Sequence, residues 1–108
     1  GWLTMEEVVW GNDGIIKTFS PSTYKIPAVT DIPKIFNVEM FKDGLNVEKV
    51  VNKAKTNGEP PLMLAMSVFF AIKDAIASIS NYNTIPDLSA PATAEKILLS
   101  IKNLKNIV

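Results

Sequence analysis

Residues 58–80 read GEPPLMLAMSVFFAIKDAIASIS, and the fold turns on how they are read. Two prolines belong in the first turn of a helix, where the missing N–H has no partner to lose. No glycine and no further proline follow, and between Leu62 and Ile72 only Ser67 is polar. A surface helix carries one apolar stripe, whereas a helix apolar all round is buried on every side. The spacing therefore predicts a long buried helix from Pro60. A chain of 108 residues has little with which to enclose it, which marks the chain as part of something larger. So does its opening on Gly1-Trp2-Leu3 rather than Met, which places the natural start elsewhere.

Working outward toward the N-terminus, residues 4–10 (TMEEVVW) and 15–19 (IIKTF) are β-prone and flank Gly11-Asn12-Asp13-Gly14. Those turn residues tolerate positive φ, so the pattern predicts a β-hairpin. Pro21, Pro27 and Pro33 then predict an extended, irregular strap, with Asp31 as turn chemistry before Ile32-Pro33. FNVEMF at 36–41 alternates as a half-buried strand does, and Lys42-Asp43-Gly44 closes it. Residues 45–55 fit either a helical face built on Val47, Val50, Val51 and Ala54, with Asn46 as its cap, or a valine-rich strand. Toward the C-terminus, residues 81–92 read as a loop. A last helix runs from about Thr93, with Glu95 in its first turn and Lys102 and Lys105 in its last. Ile97, Leu98, Ile101 and Leu104 give it one apolar stripe and a peripheral place.

Composition excludes more than it specifies. There is no Cys and no His, which removes Ser-His-Asp and Cys-His catalysis, disulfides, zinc clusters and histidine proton shuttles. Lys+Arg and Asp+Glu are 11 each, so no electrostatic footprint for nucleic acid or an anionic membrane is present. The near-apolar run from Leu62 to Ile72 falls short of the ~20 residues a membrane span needs. A soluble, cytoplasmic chain is expected.

Glu59 sits between Gly58 and two prolines. Its ordinary reading is an acid complementing a helix dipole. Its functional reading is a carboxylate held rigidly beside a ligand that Gly58 lets come close, serving as a general base. Residue chemistry alone leaves both open. Met63, Met66, Phe69 and Phe70 are core filler before they are a pocket. The Tyr24-Lys25 pair points to opposite sides of an extended strap, and Lys53 and Lys55 read as solvated.

The order of these pieces resembles the C-terminal end of the molybdopterin-binding part of the xanthine dehydrogenase/aldehyde oxidase family. Gly1-Trp2-Leu3-Thr4 with Glu6-Glu7-Val8-Val9-Trp10 is similar to that family's GW(L/M)T…EEL(V) segment. Pro21 to Pro27, then Asp31-Ile32-Pro33 and Phe36-Asn37-Val38, resemble its PSTYKIP…DIP…FNV strap. Gly58 to Leu62 and Phe69 to Ile76 resemble its GEPPL…FFAIKDAI signature, and Ser89 to Ile97 its closing SPATPEKI. Asn57 stands where the family usually has Val, and Ala94 where Pro is common.

The resemblance implies an α+β piece of a molybdenum-binding domain: residues 1–55 mainly β or extended, 58–80 the signature Glu and a buried helix, 93–105 the last helix, with 1–108 one C-terminal portion. It implies an oxidoreductase that hydroxylates a purine, another N-heterocycle or an aldehyde carbon with oxygen derived from water. Glu59 is then the general base acting on the hydroxyl that molybdenum carries, with Gly58 and Asn57 near the cofactor and no direct metal ligand from this chain. Molybdopterin, iron–sulfur clusters and FAD are implied in the complete enzyme, held by the remainder of the molybdenum domain and by partner domains or subunits. The isolated chain is expected to be inactive and to bind none of them. The alternative is a non-catalytic remnant serving as a structural or partner-binding module, with the Met/Phe helix as its interface.

Overall fold

The computed structural model describes residues 1–44 and 46–107, with the side chain of Ile107 left aside. Its regular structure is helical. Helix α1 spans Pro60–Ala77, with the prolines in its first two positions, and passes into a 3-10 turn at Ser78–Ser80. Helix α2 spans Ala94–Ile107. Thr93 caps it as expected, its hydroxyl oxygen accepting the Lys96 N–H at 3.3 Å.

No strand forms among the described residues, which corrects the α+β expectation for the N-terminal half. The predicted hairpin turn exists. Gly14 takes φ of 75°, the Asp13 carboxylate accepts the Ile15 amide, and Gly11 and Lys17 donate to Ile15 and Val9 carbonyls, each at 2.8 Å. Pairing nevertheless stops at one antiparallel bridge, Trp10 with Ile16. The Val9 amide turns to the Thr18 hydroxyl instead of a backbone carbonyl. The amides of Thr4, Met5 and Glu6 all fold back onto the Gly1 carbonyl. A lone two-stranded pair with no covering layer is marginal in any case.

The strand expected at 36–41 meets the same fate: Phe36, Val38, Met40 and Phe41 are all exposed, with no neighbouring strand to receive them. Residues 45–55, of which 45 lies outside the described residues, form neither the helix nor the strand. They close on a 3-10 turn at Val51–Lys53, and the Asn46 amide bonds the Ala54 carbonyl rather than capping a helix. The strap is irregular as predicted, and Asp31 does make a turn, its carboxylate accepting the Ala28 amide at 2.8 Å.

The core lies at one end of α1. Ile76, Leu88, Ala92 and Leu104 are buried, flanked by Phe69, Ile72, Ile97 and Ile101. Helix α2 is therefore central to this packing, not peripheral. Its stripe is rotated from the predicted one: Leu98 faces out and Ser100 faces in. The Ala92 amide donates to the Leu3 carbonyl at 2.7 Å and ties the first residues to the same end.

Helix α1 forms where predicted, but the chain does not bury it. Leu62, Met63, Leu64, Val68 and Phe70 are exposed, and Ile76 alone of the helix is buried. The radius of gyration is 18.5 Å, against about 13 Å for a compact domain of this length. By length and composition alone, the 21 residues Pro60–Ser80 are also apolar enough to cross a membrane, with a mean hydropathy of 1.8 over an 18-residue window. The shorter Leu62–Ile72 run had suggested otherwise.

Candidate functional site

Glu59 occupies the N-cap of α1, with helical φ and ψ of −79° and −38°. Its carbonyl accepts the amides of Leu62 at 3.0 Å and Met63 at 3.4 Å, which start the helix. Its side chain caps nothing. This N-cap therefore uses the backbone and leaves the carboxylate free of the helix, exposed at its tip. Pro60 and Pro61 fix the two following φ angles, so the direction in which the acid leaves the chain is constrained.

Asn57 and Gly58 lie beside it, both exposed. A Cβ placed on Gly58 meets nothing within 4 Å. The glycine answers to no crowding within this chain, and the space before it is open to an approaching group. The three residues are thus neighbours on one irregular segment running into a rigid helix start. Lys53 and Lys55 are exposed, as expected of solvated lysines.

On the helix, Phe69 packs onto the core while Met63 and Phe70 do not. The Phe69 and Phe70 rings meet edge to face at 5.6 Å. Tyr24 does not pair with Lys25. Its hydroxyl donates to the Glu6 carboxylate at 2.8 Å, and that bond, with desolvation and the Glu6 charge behind it, pushes the phenol above its usual range. Tyr24 also helps line an apolar cavity of about 470 Å³ with Val8, Ile16, Phe19 and Ile26.

Sequence reading missed the partners Glu6 and Glu7. Glu7 lies 3.1 Å from the Lys96 ammonium. Nothing local signals either pairing, because the partners are far apart along the chain.

No family model matches the chain. It is 46% identical over 103 residues, 93% of its length, to a xanthine dehydrogenase of Dictyostelium discoideum. Over 111 residues it is 41% identical to a xanthine dehydrogenase of Oryza sativa subsp. japonica, again across 93% of this chain. A xanthine dehydrogenase/oxidase of Mus musculus is 46% identical over 103 residues, 90% of the chain. The chain spans about 8% of the length of these relatives. Its homologues are thus xanthine dehydrogenases and xanthine dehydrogenase/oxidases, and the likeness supports the resemblance to their family.

Proposed function

We propose that this chain is a segment of the molybdenum-binding domain of a xanthine dehydrogenase-like molybdenum hydroxylase, and that Glu59 is its general base. The observation that carries the reading is a carboxylate without a partner among the described residues, at the proline-stiffened start of an apolar helix. A general base needs a rigid mount and a free oxygen within reach of the proton it takes. The irregular approach through Asn57 and the open space at Gly58 fit a bulky group drawing close.

When bound, molybdopterin supplies molybdenum as the two-electron acceptor for hydroxylation by water-derived oxygen. The work of this chain is narrower. Gly58 leaves room, Pro60 and Pro61 orient the acid, and a Glu59 carboxylate oxygen takes the proton. Helix α1, covered by the rest of the domain, walls off water on one side and so strengthens the electrostatics of the site. The names of the relatives put xanthine, a purine, ahead of other N-heterocycles and aldehydes as the substrate class. Iron–sulfur and flavin groups belong to other parts of the complete enzyme, which we place in the cytoplasm. The apolar surface of α1 is then a protein-buried surface and not a membrane span. Lys73 and Asp74, next to each other near the end of the helix, suit a polar edge of such a domain better than a hydrocarbon core.

The test is Glu59→Gln in the complete polypeptide. Molybdenum content is expected to stay level while turnover falls by about 10²–10⁴-fold. Turnover near that of the unaltered protein removes Glu59 from the role, and a polypeptide without molybdenum favours a scaffold or partner-binding remnant.

A further inference from the structure

The segment from Ile35 to Phe41 is a strand without a sheet. Its residues run without turn or bend and none takes a positive φ, so at ~3.3 Å per residue they extend over about 23 Å. Pro33 precedes them, and a turn at Lys42-Asp43 ends them. Phe36, Val38 and Met40 fall on one face, with Asn37 and Glu39 alternating between them. None of these amides has a hydrogen-bond partner among the described residues. Of the carbonyls, only that of Phe41 accepts a bond, from Gly44.

Two observations say that this edge is meant to be covered. Ile35, Phe36, Val38, Met40 and Phe41 are all exposed, Phe36 the least so at 69%, and a run of large apolar side chains this open marks a contact surface. Free sheet edges are also guarded by prolines, lysines or bulges. Between 35 and 41 there is no proline, no lysine and one charge, Glu39. The backbone then selects the partner. A straight row of donors and acceptors repeating every two residues is matched by another extended backbone. A helix spends its own amides internally.

The chain has no such partner to give. Pro21, Pro27 and Pro33 interrupt the strap before the segment. After it, residues 46–55 fold back on themselves. Asn52 and Lys53 take φ of 51° and 52°, and the Asn46 side chain bonds the Ala54 carbonyl. We propose that residues 35–41 join a β-sheet of the remaining polypeptide, pairing along at least one edge with a strand that lies outside this chain. The inference rests on the reading above that such a remainder exists, as for a chain spanning about 8% of its relatives' length. It uses none of Asn57, Gly58 or Glu59.

The experiment is amide hydrogen exchange over residues 35–41 of the complete polypeptide, with residues 96–104 of α2 as the reference. Exchange is expected to be at least about a hundredfold slower than in an unstructured peptide. Asn37 and Val38 present their amides to opposite edges, so at least one of Asn37→Pro and Val38→Pro should speed exchange across the segment about tenfold, with α2 unchanged. Asn37→Ala and Val38→Ala keep the amide and should have a smaller effect. Free exchange in the unaltered polypeptide overturns the strand, whether or not a proline variant folds. So does slow exchange indifferent to both prolines, which means burial without pairing. Slow exchange that fades on dilution assigns the partner to a second copy and overturns it too. Each of these results in a polypeptide that carries molybdenum leaves the molybdenum reading intact. A native polypeptide no larger than this chain overturns both.

Discussion

The Lys96 ammonium nitrogen lies 3.1 Å from the Glu7 carboxylate. With the Leu3–Ala92 backbone bond, it clasps the first residues of the chain against the start of α2. Both side chains remain partly solvated, at 30% and 41% exposed. Glu7→Gln is therefore expected to cost no more than about 1 kcal/mol, an effect that shrinks at high salt. Urea midpoints of the complete polypeptide at low and high salt measure it.

Core and exposed positions on α1 should respond differently to the same truncation. Ile76 is 3% exposed inside the chain's own core, whereas Leu64 is 71% exposed. Ile76→Ala should destabilise the complete polypeptide by about 2–5 kcal/mol. Leu64 is largely exposed in this chain, so a comparable cost of Leu64→Ala, read from the same denaturation series, measures burial against the rest of the domain. No cost at Leu64 counts against that burial.

Gly58→Ala separates folding from function. The added methyl meets nothing within 4 Å, so stability should change by no more than about 0.5 kcal/mol, the usual bound for surface substitutions. Turnover and molybdenum content should both drop if a cofactor approaches there. Thermal melts alongside metal analysis separate the two effects.

Tyr24 supplies a pH signature. Its hydroxyl bond to Glu6 favours the neutral phenol and raises its pKa. A group whose folded pKa is raised contributes its stability below the ordinary value of about 10, and loses it as pH climbs through the raised value. The stability difference between the unaltered protein and Tyr24→Phe should therefore hold constant from neutral pH to about 10 and shrink above that. Paired urea titrations across this range check it.

Local chemistry was legible and pairing was not. The proline start of α1, the Thr93 cap and the Asp31 turn depend on neighbours within a few residues, and all three formed. The hairpin turn at Gly14 formed for the same reason. Strands are different, because an extended segment becomes a strand only when another supplies its hydrogen bonds. Phe36 to Phe41 alternates correctly and finds nothing to pair with. The α2 stripe slipped because Ser100, a polar residue, took an inward position that pattern reading gave to Leu98. Glu59 was conspicuous from its neighbours alone, and the structure adds that its side chain serves no helical cap.

Mechanically, α1 is a cantilever. Its anchor is the core cluster that holds it from Phe69 to Ile76, and Glu59 rides on the far tip, about 15 Å beyond Phe69 at 1.5 Å per residue. A tilt of about 5° at the anchor sweeps the tip through about 1 Å, and misplacement by 1 Å is enough to slow a well-aligned reaction a hundredfold. The root of this beam cannot set the aim of the carboxylate. If Glu59 is the base proposed above, that task falls to whatever grips Leu62 through Val68, and substitutions along that shaft should register first as lost rate.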